Sequence, residues 1–272
     1  MKLKTVFGTI LSGLLLSGAA LGQSKIVIKG SDTLGAKMVP QLIDVYKGIG
    51  NAVDSEIAAE GSSSAFTALL EGTADVWMSS RDAKEGEKDS FTAKGKELVE
   101  HVAGIDMIAV VVNEANSVKN LTTKQIEGIF TGEITDWSEL GGKKGPISIY
   151  TRNTTSGTYK SFQEMAMNKR DYGSSTQKMA GNEAIASEVG KNANGIGYVG
   201  LAYAKNDGLV AVEVEGKSLE SPEAYPLSRK LYYYTVGKPE GEIAKFLTWA
   251  KSDAIAQKVI EKVGFLSAKK AN

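Results

Sequence analysis

Apolar and polar residues alternate along Lys25-Ile26-Val27-Ile28-Lys29, which predicts a strand. Gly30-Ser31-Asp32-Thr33 breaks the alternation, and Leu34, Met38, Leu42, Ile43 and Tyr46 then recur at helical spacing. Pro40 falls inside this window and predicts a shift or kink in its first turn. The same order returns twice. Glu56 to Glu60 is strand-like, Gly61-Ser62-Ser63-Ser64 follows, and Phe66, Leu69 and Leu70 mark a short helix closing near Gly72. Ile147 to Tyr150 is extended, Thr151 to Thr158 is polar, and Tyr159, Phe162, Met165 and Ala166 are spaced as on a helix.

Other segments complete the pattern. Ala74 to Met78 predicts a strand ended by Ser79-Ser80-Arg81, and Gly104 to Asn113 is apolar enough for a strand buried on both faces. Thr122 and Gln125 form a capping-box pattern ahead of a helix that Gly132 closes. Ala193 to Gly200 predicts a glycine-punctuated strand, Leu231 to Val236 a tyrosine-rich one, and Ile243 to Lys262 one long helix. The polar tail from Ser267 to Asn272 is expected to fray. Strands alternating with helices imply an α/β architecture. The 272 residues exceed one average domain, and no fixed-period repeat or low-complexity linker divides them. Two lobes sharing strands across a hinge fit better than two independent domains.

The first residues change the picture of where the chain works. Lys2 and Lys4 precede an apolar run from Val6 to Leu16 and small residues up to Gly22, the order of a secretory signal peptide cleaved after Gly22. The run is short for a membrane span, and no cysteine offers a lipoprotein anchor. The expected location is periplasmic or otherwise secreted. Without Lys2 and Lys4, 30 basic residues face 32 acidic ones, so no basic face invites nucleic acid. The absence of cysteine excludes disulfides and thiolate chemistry, and a catalytic triad would need the one histidine, His101. Its surroundings read as the run into a strand, so His101 is expected at a surface or strand edge.

The chemistry lies in the three Ser/Thr-rich helix starts. A helix N-terminus offers unpaired N–H groups and the positive end of a dipole, and hydroxyls there add uncharged donors. Ser31, Thr33, Ser62, Ser63, Ser156 and Thr158 occupy such positions, with Gly157 allowing close backbone approach. Any single one is also a good cap. Three together suit a tetrahedral oxyanion. Arg152, four residues before Ser156, is assigned to the anion because its planar fork matches an oxyanion. Arg81 follows a strand end, where α/β sheets bind ligands, but could equally pair locally with Asp82. Asp32 and Asp106 are candidate acceptors for a proton on the ligand, which would select protonated phosphate over sulfate. Asp32 could equally cap the helix after it. Gly195-Ile196-Gly197-Tyr198-Val199-Gly200 has the form of a dinucleotide loop but opens no clear helix, and Tyr232-Tyr233-Tyr234 reads as strand packing.

Gly30-Ser31-Asp32-Thr33, Gly61-Ser62-Ser63-Ser64, Ser79-Ser80-Arg81, Ile129 to Trp137, Arg152 with Ser156-Gly157-Thr158, Ile196 to Val199, and Tyr225-Pro226-Leu227-Ser228-Arg229 occur in one order over nearly the whole chain beyond residue 22. In that order the sequence resembles the phosphate-binding proteins of bacterial ABC transporters, the PstS-like family. The resemblance implies a two-lobed periplasmic-binding-protein fold of type II, with two crossovers and the ligand cleft between the lobes. It implies backbone N–H groups of Thr33 and Leu34, the hydroxyls of Thr33 and Ser62, and a clamp of Arg152, Ser156, Gly157 and Thr158 around inorganic phosphate. It places Ser80, followed by Arg81, where relatives carry a selectivity carboxylate; either another Asp supplies the acceptor, Asp106 being the first choice, or selectivity is relaxed. We expect lobe 1 over residues 23–112 plus 230–272 and lobe 2 over 113–229, crossing near Val112-Asn113 and near Leu231 to Tyr234. The implied protein is monomeric, has no catalytic residue, cofactor or metal, and docks on a membrane permease. The rivals are a secreted phosphatase or phosphate-ester hydrolase using the same oxyanion site, and a scavenging or adhesion module without a permease.

Overall fold

In the computed structural model, which describes residues 24–268, β1 (Ser24–Gly30) pairs in parallel with β2 (Val53–Ala58) and β3 (Val76–Ser79). The expected signal peptide lies outside the described residues. Two helical stretches, α1 (Asp32–Gly35) and α2 (Met38–Gly48), link β1 to β2. The single helix expected there is split for a local reason. Pro40 has no N–H for the carbonyl of Ala36 and its ring would clash with it, so the chain turns at Ala36 and Lys37 and restarts. The helix α3 (Ser62–Glu71) links β2 to β3, and α4 (Glu85–Ala93) leads to β4 (Leu98–Asn113).

β4 organises the molecule. Its residues up to Met107 pair antiparallel with β11 (Ser228–Val236), which also pairs with β3. From Ile108 onward it pairs instead with β8 (Gly195–Gly200), which continues the sheet to β6 (Ser148–Arg152) and β7 (Gln177–Met179). The strand order is β2-β1-β3-β11-β4-β8-β6-β7, with β9 (Leu209–Ala211) also on β4. A separate short ribbon joins β5 (Asn120–Leu121) to β10 (Glu213–Val214). The halves are therefore joined by β4 and by the return between β10 and β11. β4 changes partner between Met107 and Ile108, and, among the described residues, β11 pairs with β3 and β4 alone.

Successive residues of a strand face opposite sides of the sheet and so enter different cores. Ile108, Val110 and Val112 pack towards α5 (Thr123–Thr131) and α6 (Gly157–Ala166), while Ala109 and Val111 pack towards α7 (Asn182–Lys191). In the first half, Leu231 and Tyr233 face α2, α8 (Gly241–Ser252) and α9 (Ala254–Val263), while Tyr232 and Tyr234 face α3 and α4. The tyrosine run is strand packing, as its period suggests. The long helix expected over residues 243–262 is two helices. Asp253 has extended dihedrals, and its carboxylate caps α9 by accepting from the N–H groups of Ile255 and Ala256. Ser267 and Ala268 are buried, contrary to a tail frayed from Ser267. Residues 269–272 lie outside the described residues. This is the two-lobed periplasmic-binding-protein fold.

Candidate functional site

The C-terminal ends of β1, β3, β6 and β8 converge where the two halves of the sheet face each other, the usual ligand position in open α/β sheets. β1 delivers Ser31, Asp32, Thr33 and Leu34; β3 delivers Ser80 and Arg81; and β6 delivers Arg152 and then Ser156, Gly157 and Thr158. Two of the three helix starts open full helices, α3 at Ser62 and α6 at Gly157, whereas α1 is a single turn of four residues. Ser156 caps α6, its Oγ accepting from the N–H of Tyr159 at 3.2 Å, which leaves its own hydrogen to donate elsewhere.

Backbone bonds seal the halves together. The N–H of Ser63 donates to the carbonyl of Thr155 at 2.9 Å, and the Thr155 hydroxyl donates to the carbonyl of Glu60 at 3.1 Å. Gly61 makes this approach possible: its φ is +122°, and a Cβ there would lie 2.7 Å from Thr155 Oγ1. Gly157 meets the other half even more closely. A Cβ on it would lie 2.4 Å from Ser62 Oγ and 2.6 Å from Ser80 Oγ.

The hydroxyls sit in two pairs. Ser62 Oγ lies 3.3 Å from Ser80 Oγ and accepts from the Ser80 N–H at 3.0 Å. Thr33 Oγ1 lies 2.9 Å from Thr158 Oγ1, across the halves. Ser31 Oγ is buried with no hydrogen-bond partner among the described residues. Leu34 is fully buried, so its contribution to a ligand is confined to its backbone.

The charged candidates separate clearly. Arg152 is 1 % exposed, with one N–H on the carbonyl of Ala180 at 3.1 Å. Its Nη1 is 3.1 Å from Asp32 Oδ2, an ion-pair distance, yet Nη1 and Nε lack an aligned hydrogen-bond acceptor. Burial draws this guanidinium below its ordinary pKa, and Asp32 opposes the shift. Buried donors left unpaired are costly, so these N–H groups are open to an acceptor. Arg81 has no such vacancy around its Nη atoms. It grips Glu87 through two bonds of 2.6 and 2.8 Å, and also donates to the carbonyl of Asp82 and to Ser63 Oγ. Its counter-charge is Glu87, not the carboxylate of Asp82, and the Ser63 hydroxyl is turned to Arg81.

Asp32 does not cap the turn that follows it. Its Oδ2 reaches across the halves to Arg152 and to Asn182, accepting from the Asn182 backbone at 3.0 Å and its side chain at 2.7 Å. Asp106, the first choice for a proton acceptor, is fully buried and committed elsewhere. Its Oδ2 accepts from Arg229 Nη2 at 2.7 Å and Nε at 3.2 Å, and its Oδ1 from the Leu201 N–H at 2.9 Å. Burial pushes the Asp106 carboxyl up and the Arg229 guanidinium down, and each partner's charge counters the other's shift.

Sequence reading missed Asn182 and gave Arg229 no role of its own. Gly181-Asn182 ahead of Ile185, Ala186 and Val189 is a fourth helix start that the hydrophobic spacing already carried. Nothing local distinguishes Arg229 from a surface arginine at a strand start. His101 lies in β4, its Nε2 3.0 Å from Thr235 Oγ1. Gly195 to Gly200 is a strand and opens no α-helix, so it is no dinucleotide loop.

Among known proteins, the profile of the PBP superfamily domain matches residues 17–254. The phosphate-binding protein PstS of Pseudomonas aeruginosa is 32% identical over 264 residues, covering 87% of this chain and 81% of the relative. A candidate phosphate ABC transporter substrate-binding protein from Clostridium perfringens, solved with bound phosphate, superposes with a TM-score of 0.82 at 31% identity, over 90% of this chain and 99% of that one. An ABC-type phosphate transport receptor from Vibrio cholerae superposes with a TM-score of 0.73 at 27% identity, over 89% and 99%. The chain belongs to the PBP superfamily and, within it, to the family of the phosphate-binding proteins PstS.

Proposed function

We propose that this chain is an extracytoplasmic receptor that captures inorganic phosphate between its lobes and delivers it to the permease of an ABC transporter. The observation that carries this reading is the buried, incompletely bonded guanidinium of Arg152, on the strand that leads into the hydroxyl-bearing start of α6, where Thr158 meets Thr33 of the other half. The names of the Pseudomonas and Vibrio relatives and the phosphate bound to the Clostridium one support the choice of anion and transporter. Phosphate would take N–H groups of Thr33, Leu34, Gly157 and Thr158, hydroxyls of Thr33, Ser62, Ser156 and Thr158, and the free edge of Arg152. Asp32 replaces Asp106 as the acceptor for the ligand's proton, because the bonds to Asp32 converge on Oδ2 while both oxygens of Asp106 are engaged. Arg81 and Ser63 act as support through Glu87.

The lobes divide at Met107 and Ile108 in β4 and in the return between β10 and β11, and residues 1–22 act as a cleaved signal peptide. We take the protein to be monomeric and not to bind nucleic acid. A hydrolase would need a base to activate a hydroxyl or a water. Here Ser62 Oγ bonds to the N–H and the hydroxyl of Ser80 and, among the described residues, not to a carboxylate or an imidazole. The test is calorimetry of protein unfolded, dialysed free of ligand and refolded, titrated with phosphate, arsenate and sulfate. Binding of phosphate without turnover of a chromogenic phosphate ester is expected. No heat and no thermal shift with any of the three anions would sink the reading.

A further inference from the structure

We infer that Arg229 is a positioning residue for the anion: paired with Asp106, it bars the Thr158–Thr33 hydroxyl pair from turning a hydrogen back towards the ladder, so that one hydroxyl hydrogen is always left for the site. The inference rests on the reading that this site binds phosphate.

Arg229 and Asp106 face each other directly in the β11–β4 ladder, one residue before β4 changes partner. Both are buried, and the carboxylate neutralises the guanidinium. Arg229 therefore adds little net charge to the site. What it adds is direction. Its Nη2 donates to Thr158 Oγ1 at 2.9 Å and its Nη1 to the carbonyl of Ser80 at 2.9 Å. A guanidinium only donates, so the Thr158 hydrogen cannot point back at it. Thr33 Oγ1 is backed in the same sense by Asn182 Nδ2 at 3.4 Å. Thr158 and Thr33 together hold two hydroxyl hydrogens, and the bond between them uses one. Whichever threonine donates, the other hydrogen has no acceptor behind it and is left for the anion.

Without Arg229, Asp106 Oδ2 would lose its donors and the Ser80 carbonyl would keep only the Ser161 hydroxyl, both close behind Thr158. The Thr158 hydroxyl, or water entering the gap, would turn to them, and the site would lose its outward hydrogen. The effect passes through Thr158, which separates it from a direct contact between Arg229 and the anion.

A double-mutant cycle tests this. Phosphate affinity is measured by calorimetry for the wild type, Thr158→Val, the neutral pair variant Arg229→Met/Asp106→Asn, and their combination, with thermal melts alongside. Thr158→Val and the pair variant should each weaken phosphate by about tenfold or more. The combination should bind within about twofold of the weaker parent, because Arg229 has nothing to orient once the hydroxyl is gone. Losses that multiply, or a pair variant that binds like the wild type, would overturn the inference. If the pair variant melts below the assay temperature, the same cycle is run with Arg229→Lys. Lysine keeps the charge but cannot serve Asp106, Ser80 and Thr158 together. A wild type that binds no phosphate defeats the functional reading itself, a result distinct from additivity in a protein that does bind.

Discussion

Three buried arginines meet the cost of desolvation in three ways, and the differences sort their roles. Arg81 has both Nη atoms bonded, two of those bonds to Glu87, and only its Nε unpaired; Arg229 is held by Asp106; Arg152 shares Asp32 with Asn182 and keeps both Nε and Nη1 unbonded. Breaking a buried pair leaves an uncompensated charge. Arg81→Ala should therefore lower the melting temperature through the orphaned Glu87 and change phosphate affinity little. Arg152→Ala should weaken phosphate by about a hundredfold or more, as expected for losing charge-assisted bonds to a buried anion. Calorimetry and a thermal melt on both variants check this, and equal losses of affinity would refute it. His101 gives a cleaner probe of stability. Burial, helped by Lys251, holds its pKa below the ordinary 6.5. The unfolded chain then binds more protons just below pH 6.5, so stability rises with pH through that window and is lost as pH falls through the folded pKa. As the one histidine, it can be followed by NMR, and His101→Gln should flatten the pH dependence of the melt there.

At the scale of elements, starts and stops decide the geometry. Gly157 opens α6 against the hydroxyls of the other half, and a methyl group there would overlap Ser62 Oγ and Ser80 Oγ. Gly157→Ala should hold the halves apart and, by opening the bonds between them, lower the melt of the ligand-free protein modestly. The expected readout is a strong loss of phosphate binding with a larger radius in solution scattering. Asp253 acts far from the ligand. It ends α8 and caps α9, so Asp253→Ala should cost about 1 kcal/mol in denaturant unfolding with phosphate affinity intact. Both features were partly legible. The spacing of Phe246, Leu247, Trp249 and Ala250 gave a helix, but the same period continues past residue 253, and only the cap geometry reveals the break. Pro40 was legible as a kink because its missing N–H acts locally.

At the scale of the whole molecule, the bonds between halves are the mechanism. Thr33 meets Thr158, Asp32 meets Arg152 and Asn182, Ser63 meets Thr155, and Ser161 donates to the Ser80 carbonyl. None of these bonds lies within one half, so an anion that bridges the two sets of donors adds to an existing seam. A ligand bound only by the folded protein stabilises it by mass action, about 2.7 kcal/mol at a hundred times its Kd. Phosphate should accordingly raise the melting temperature in proportion to the logarithm of its concentration. A melt independent of phosphate would contradict a closed, bridged site.

The alternation of Lys25 to Lys29, the apolar run through Val112, the capping box at Thr122 and the Ser/Thr-rich starts before Leu34, Ala65 and Tyr159 determined the α/β class and an anion-type site by themselves. Those signals are local: period, cap and turn chemistry act over a few residues. The strand order, the partner change within β4 and the identity of each arginine's counter-charge came only with the tertiary structure. Arg229 and Asp106 are far apart in sequence and adjacent in the ladder, and Asp32 finds Asn182 only when the halves meet. Such pairings depend on which strands lie side by side, and no spacing along the chain encodes that.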